Sequence, residues 1–280
     1  MATTVATNPA PSAHQFRGEP AACSLSQAAH VPDRYELKYL ISDSQTEVVR
    51  RAIEPFCILD AHAGNATDHH YVIRTLYLDT PGMDLYRTSC EKRSRRWKAR
   101  VRQYGEGDSA SSTVFLELKT KDGDVVSKLR TRMPAEGWVE RLMGAPRHEV
   151  SLAEMTFRER LERHALEPTL LVRYEREAWT SAIDAYARVT LDRRVACQHW
   201  SGWQLQGGDH GWLALDSSRT MKTVPAGVVL ELKCTTAVPR WLSGLVQSLG
   251  LTRTRYSKYC QGIERTSGRD GLVSRLSEFT

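Results

Sequence analysis

Gly227-Val228-Val229-Leu230-Glu231-Leu232-Lys233 is the stretch from which the fold of this chain is read. Side chains alternate across an extended strand with a period of two, so Val228, Leu230 and Leu232 share one face and Val229, Glu231 and Lys233 the other. A carboxylate and an ammonium therefore stand side by side. Val114-Phe115-Leu116-Glu117-Leu118-Lys119 repeats the arrangement. So, in outline, do Arg34-Tyr35-Glu36-Leu37-Lys38-Tyr39, Lys98-Ala99-Arg100-Val101-Arg102, Lys128-Leu129-Arg130 and Arg188-Val189-Thr190-Leu191-Asp192, each with charges on one face and apolar or small residues on the other.

Two readings of this pattern stand. An antiparallel sheet can simply turn its polar face to water. Alternatively, the strands close into a barrel with a charged lumen and an apolar outside covered by helices. The identity of the charges favours the second, because Lys and Arg dominate and carboxylates occur singly among them. Such a lumen repels itself when empty, and a polyanion with its metal ion would neutralise it. The expected fold class is α+β, a closed antiparallel β-barrel of about eight strands with covering helices.

The 280 residues fit one such domain. A net charge of +6 favours acidic partners, whether nucleic acid, an anionic membrane or phosphorylated small molecules. Six cysteines, at 23, 57, 90, 197, 234 and 260, form no Cys-x-x-Cys pair, so they read as reduced thiols in a cytoplasmic protein and not as a zinc or disulfide framework. His69-His70 lacks partners at ligand spacing and reads as a loop entering a strand. Residues 1–30 read as a disordered leader, 31–266 as the domain and 267–280 as a tail. No segment approaches the ~18–20 consecutive apolar residues of a membrane-spanning helix.

Along the chain, Ser42 or Asp43 caps a helix to about Ile53 with Val48, Val49 and Ala52 as its apolar stripe. Strands follow at Tyr71 to Asp79 and Trp97 to Tyr104, the latter after the basic run Lys92 to Arg96, read as a phosphate-attracting rim in preference to a nucleic-acid contact. Asp122-Gly123 marks a tight hairpin turn before Val125 to Met133. Glu136 to Met143 and Ser151 to about Ala165 read as helices, the second burying Leu152, Met155, Phe157 and Leu161. Leu170 to Trp179 and Ala187 to Val195 are strands, and Trp200 to Ser218, with three Trp, reads as an irregular loop or lid packing over a barrel mouth. Pro239 to Gly250 is an amphipathic helix.

Taken together, Arg34-Tyr35-Glu36-Leu37-Lys38-Tyr39, Arg100 to Gly105, the two Leu-Glu-Leu-Lys strands, Arg188 to Asp192 and Tyr256-Ser257-Lys258-Tyr259 resemble the VTC domain, the catalytic domain of the vacuolar transporter chaperone polyphosphate polymerase in the CYTH or triphosphate tunnel superfamily. The resemblance runs from about Arg34 to Glu264. It implies a basic tunnel that binds the triphosphate of ATP and a growing polyphosphate chain. By its order, Lys38, Arg100, Arg102, Lys119 and Lys258 take the catalytic phosphate positions, and Lys128, Arg130, Arg176, Arg188, Lys233 and Arg255 the remaining phosphate-binding ones. Glu231, with Glu36 or Glu117, would hold Mn²⁺ or Mg²⁺. Arg255 stands where the family often has Lys, which changes a point charge into a fork. Arg173 and Arg176 fall on opposite faces of one strand, so one of them points inward unless a bulge intervenes.

Triphosphatases of the superfamily usually open with Glu-x-Glu-x-Lys, whereas this chain has Arg34 at the first position. That departure favours an anhydride-forming transferase. The alternatives are an inorganic or nucleoside triphosphatase, and a module that only binds polyphosphate or nucleotides. Oligomeric state is not encoded in any pattern found.

Overall fold

The computed structural model of the protein describes residues 34–268, apart from 67, 107–110, 124, 146–148, 185, 218–220, 222–226 and 236–237. The expected leader, 1–30, and the expected tail beyond Gly268 lie outside the described residues. The hairpin read at Asp122-Gly123 is present: β5 (Thr113–Asp122) pairs antiparallel with β6 (Val125–Pro134), Asp122 opposite Val125. The loop is therefore two residues long, and Gly123 takes φ 56°, a left-handed conformation that a side chain resists.

From this hairpin the sheet continues through β4 (Arg95–Tyr104), β3 (Tyr71–Asp79), β7 (Glu167–Ser181), β8 (Ala187–His199), β10 (Val228–Thr235) and β1 (Arg34–Ile41), every neighbour antiparallel. The order is β1-β10-β8-β7-β3-β4-β5-β6. Two short strands not read from the sequence, β2 (Cys57–Leu59) and β9 (Leu213–Ala214), are appended to β7 and β8.

The eight main strands and the α+β make-up agree with expectation, but the closed barrel does not form. Among the described residues, β1 and β6 are the two ends of the path and no ladder joins them. Lys128, Arg130 and Arg132 occupy every second position of the edge strand β6, and docking it on β1 would set those charges against Lys38. Cationic edges resist pairing for this reason. The sheet nevertheless curls, because Lys119 of β5 reaches Glu36 of β1 at 2.5 Å across the concave face.

The convex face carries most of the core. One cluster sets Leu76, Ala99, Val101, Leu116 and Leu118 of β3, β4 and β5 against α4 (Trp138–Met143) and α5 (Leu152–Arg163). A second sets Val189, Leu191, Leu230 and Leu232 of β8 and β10 against α1 (Asp43–Ile53) and α6 (Arg240–Ser248). Ser42 and Gln45 form a capping box at the start of α1. Its buried stripe is Thr46, Val49 and Ile53, with Val48 and Ala52 exposed, so the helix is rotated from the orientation read in the sequence. In α5 only Phe157 and Leu161 are buried. Leu152 and Met155 are exposed because the helix lies on β5 and the edge strand β6 and meets them along one narrow side. Trp200, Trp203 and Trp212 are not a lid over the concave side: they pack on the convex cluster, Trp203 edge-on to Trp138 at 6.0 Å.

The concave side is divided. At one end α7 (Lys258–Thr266), capped by Ser257, inserts against Leu170, Val172, Tyr77 and Tyr174 and fills the space with Tyr259 and Ile263. Gly262 makes this possible, since a Cβ there would lie 2.4 Å from Leu170 Cδ2. Buried Asp79 fixes both α7 and α3 (Asp84–Cys90), accepting bonds from the Tyr259 hydroxyl and from the backbone N–H groups of Leu85 and Tyr86. The rest of the concave side is charged. No disulfide joins Cys57, Cys90, Cys197, Cys234 and Cys260, the cysteines among the described residues. Among the described residues no helix is long and apolar enough to cross a membrane.

Candidate functional site

Strand register decides which charges meet. Lys38 lies opposite Glu231 and Glu231 opposite Thr190, and Arg176 lies opposite Asp192 one inward position along, so the inward positions of β1, β10, β8 and β7 form two adjacent rows. On the other wall Lys98, Arg100 and Arg102 of β4 lie opposite Lys119, Glu117 and Phe115 of β5, and Glu117 lies opposite Arg130 of β6. The alternation read from the sequence thus places its charges on the concave face and its aliphatic residues in the convex core.

Glu231 is the meeting point of the first wall. Its oxygens lie 3.1 Å from Lys38 Nζ, 2.8 Å from Lys233 Nζ, and 3.9 Å from both Arg176 and Lys258. Arg176 grips Asp192 with two parallel bonds of 2.6 and 2.8 Å, and Lys258 donates to the same carboxylate. Lys258 Nζ also sits 4.5 Å from the centre of the Tyr174 ring. Glu36 accepts from Lys119 at 2.5 Å and lies 3.7 Å from Lys38. On the second wall Glu117 is paired with Arg100 at 2.7 Å, Lys128 at 2.5 Å and Arg130 at 3.3 Å.

Nine cationic side chains, Lys38, Arg100, Arg102, Lys119, Lys128, Arg130, Arg176, Lys233 and Lys258, thus face four carboxylates, Glu36, Glu117, Asp192 and Glu231. Arg102 is the extreme case. It is 6% exposed, its Nε donates to Thr75 Oγ1 at 3.4 Å, and among the described residues no carboxylate lies within ion-pair distance. The excess is visible in the titration of the lysines. Burial, with Arg100 and Arg102 alongside, pushes Lys128 down to about 7 despite its bond to Glu117. Lys119 and Lys233 are lowered too, by burial and by neighbouring Lys38 and Arg176 respectively, against their carboxylate partners. Burial would also lower Lys38, but Glu231 and Glu36 raise it. The carboxylates go the other way: burial alone would raise Glu231, yet Lys233, Lys38, Lys258 and Arg176 hold it well below the usual range. Such a site stabilises bound negative charge.

The other expected residues lie elsewhere. Arg188 faces inward but is engaged by Asp60, and Arg255 is exposed and takes no part in either wall. The register shift beside Arg173 puts its extra residue on β8 and leaves the parity of β7 unbroken, and the contacts decide the pair left open: Arg176 faces inward onto Asp192, and Arg173 turns out to Glu106 at 3.2 Å. Glu117 does not join Glu231 and Glu36: it lies on the second wall, between β4 and β6, where Arg100, Lys128 and Arg130 pair with it. Asp192 was visible by parity but was not singled out, and Lys98, 2.9 Å from Ser257 Oγ, was likewise passed over although it shares a face with Arg100. Lys92, Arg93 and Arg95 are exposed, as a rim requires.

A family model described as the VTC domain matches residues 33–267. No curated protein matches the chain significantly. Among solved structures, the chain is similar to the PH1819 protein of Pyrococcus horikoshii OT3, at 15% identity over 86% of this chain and 99% of that one, with a TM-score of 0.42. It is similar to a candidate adenylate cyclase of Bacillus halodurans, at 11% identity over 81% and 94%, with a TM-score of 0.45. It is also similar to a candidate adenylyl cyclase of Hippeastrum described as having a dominant triphosphatase activity, at 14% identity over 83% and 95%, with a TM-score of 0.44. At these scores the likeness carries no argument about this chain's chemistry.

Proposed function

The chain belongs to the VTC domain family, and on that premise we propose that it is a cytoplasmic polyphosphate polymerase, moving the γ-phosphoryl group of ATP onto the end of a polyphosphate chain and releasing ADP. The observation that carries this reading is the excess of cationic over carboxylate side chains on the concave face, above all buried Arg102, which among the described residues has no carboxylate within ion-pair distance. A linear polyanion running between the two walls supplies the missing negative charge.

Phosphoryl transfer asks little covalent chemistry of a protein. Its transition state spreads charge over equatorial oxygens with entering and leaving oxygens in line, so positioning and electrostatic stabilisation supply the rate. Arg100 and Arg102 from one wall and Arg176 and Lys258 from the other would hold the nucleotide's phosphates. Lys38, Lys119, Lys128, Arg130 and Lys233 would hold the acceptor in line, so that an oxygen of its terminal phosphate attacks the γ-phosphorus as the bond to the β-phosphate oxygen breaks. The excess charge is fixed in place before substrate arrives, so none of it has to reorganise during the reaction.

A divalent cation is the family's expected cofactor. Among the described residues no three carboxylate, imidazole or thiol groups converge as a ligand set. Mg²⁺ or Mn²⁺ needs no such cage, because one or two carboxylates suffice when phosphate oxygens and water complete the shell. Glu231 and Glu36, linked by their shared partner Lys38, fit that requirement, and Glu117, on the other wall, stands apart from them. When bound, the ion would neutralise charge on the departing diphosphate.

Incubating the purified chain with ATP and Mn²⁺ tests the proposal. Long-chain polyphosphate is the expected product. Orthophosphate released from ATP or tripolyphosphate would make the chain a triphosphatase, and binding without turnover would make it a polyphosphate-binding module.

A further inference from the structure

Where α7 closes one end of the concave side, the other end is lined by aromatic rings. Tyr104 follows Arg102 by two residues on the inward face of β4, Phe115 precedes Glu117 by two on β5, and Tyr71 of β3 lies in register with Arg176 of β7. Tyr104 therefore sits one inward position beyond Arg102, about 7 Å along the strand, while Phe115 stands beside Arg102 and Tyr71 beside Arg176. Over them lies α2 (Ala61–Gly64), whose His62 ring is stacked on Tyr104 with centroids 4.8 Å apart and planes 4° from parallel. Tyr71 leans on both, 5.3 Å from His62 and 6.0 Å from Tyr104. Phe115 meets Tyr104 edge-on at 5.5 Å.

The cluster is braced from outside. Asp60 caps α2 through the Ala63 N–H at 2.9 Å, accepts from the Tyr71 hydroxyl at 3.1 Å and engages Arg188, while Arg130 donates to the Tyr104 hydroxyl at 3.2 Å. Yet the cluster is not buried: His62 is exposed, and Tyr71 and Tyr104 are only half-buried. A pre-arranged, parallel pair of rings left open to solvent beside a row of guanidinium groups has the form of a stacking platform.

We propose that His62, Tyr71 and Tyr104 form a nucleobase subsite, in which the base of a nucleoside triphosphate stacks on the His62–Tyr104 pair while its phosphates lie inward at Arg100, Arg102 and Arg176. This rests on the phosphate-binding reading above and adds to it a nucleoside end. No base-edge hydrogen-bonding group converges there among these three rings, so the platform grips any purine and distinguishes nucleotides from inorganic phosphates without distinguishing adenine from guanine. It also gives the site a direction, with the nucleoside at the aromatic end and the acceptor chain toward Lys38 and Lys119.

Calorimetric titration of the full chain with ATP, GTP and inorganic tripolyphosphate tests this. His62→Ala should weaken ATP and GTP alike, by about fivefold to tenfold, and leave tripolyphosphate within about twofold, while His62→Phe restores nucleotide binding. Equal weakening of all three ligands would reduce His62 to a structural support, and no weakening of any would remove the subsite. Failure of the unaltered chain to bind even tripolyphosphate would instead overturn the phosphate site, and the base subsite with it.

Discussion

Glu117 on β5 and Glu231 on β10 come from the same Leu-Glu-Leu-Lys pattern, but they keep different company. The cations around Glu117 come from its own strand neighbourhood: Arg100 and Arg130 are its register partners on β4 and β6, and Lys128 is two residues from Arg130. Glu117 is their only paired carboxylate among the described residues. Around Glu231 the cations come from β1, β7, β10 and α7, and two further acids, Glu36 and Asp192, share them. Distance from an edge does not make the difference, since β5 and β10 each stand second from an end of the sheet. It comes from what reaches each carboxylate: Arg176 of β7 and Lys258 of α7 extend to Glu231 from beyond its neighbouring strands, whereas Glu117 meets only cations of β4 and β6. One pattern thus yields a cross-strand tie in one place and a convergent site in the other.

The largest expected effect is on stability. Glu117→Gln leaves Arg100, Lys128 and Arg130 without their carboxylate, and removing one partner from a buried ion pair costs about 3–5 kcal/mol. Urea denaturation should show this loss, and inorganic tripolyphosphate should recover much of it by supplying the missing charge. Glu231→Gln should separate from it in kind. Because Glu36 and Asp192 remain to balance its cations, the variant should melt well above Glu117→Gln, yet metal-dependent turnover of ATP should fall at least about 100-fold, the usual loss for removing one electrostatic element of a transition-state site. If the two variants unfold together and lose turnover together, the distinction between tie and site is gone.

A smaller effect concerns protons. Lys128 titrates near 7 in the folded chain, depressed by burial and by Arg100 and Arg102. A bound polyanion favours its charged form, so binding above pH 7 takes up a proton. Affinity for tripolyphosphate should therefore fall with rising pH from about 7, by at most tenfold per pH unit for one proton. Lys128→Arg, whose guanidinium stays charged, should flatten the dependence. A flat profile in the unaltered chain would mean that Glu117 holds Lys128 charged and that the second wall is better balanced than its geometry indicates.

What the sequence made legible is what strand parity and local turn chemistry control. Charged and apolar faces, the tight turn at Gly123 and the cap at Ser42 all depend on residues a few positions apart, and all are present. Parity also placed Glu36, Lys38, Arg100, Arg102, Lys119, Glu231 and Lys233 on common faces. It could not tell which acid each cation would meet, because Lys119 and Glu36 are 83 residues apart and Lys258 and Asp192 are 66 apart. Nor could it foresee that α7 would fill one end, since that depends on Gly262 allowing close approach to Leu170. The closed barrel expected from the sequence fails to form for a related reason. Alternation says which way side chains point, but whether two edges join depends on the charges they bring to the seam.

That seam offers the finest test. Lys119 and Glu36 connect the β5 and β1 walls, and their side chains are 35% and 20% exposed. Solvent screening at that exposure limits the pair to about 0.2–1 kcal/mol, as for other partly exposed ion pairs. Burial would raise the Glu36 carboxyl, but Lys119 and Lys38 hold it below the usual range. A carboxyl with a lowered folded value contributes stability above its unfolded value near 4.5, and that contribution is lost as pH falls. A double-mutant cycle of Lys119→Met and Glu36→Gln, read by urea denaturation, should therefore give a coupling of that size at pH 7 and keep most of it at pH 3, where the depressed carboxyl is still ionised in the folded chain. Tripolyphosphate should shrink the coupling at pH 7, because a polyanion competes with Glu36 for Lys119. A coupling unchanged by the anion would mean that Lys119 belongs to the scaffold alongside Glu117's cations, and would move the boundary between tie and site to the β1 side of the seam.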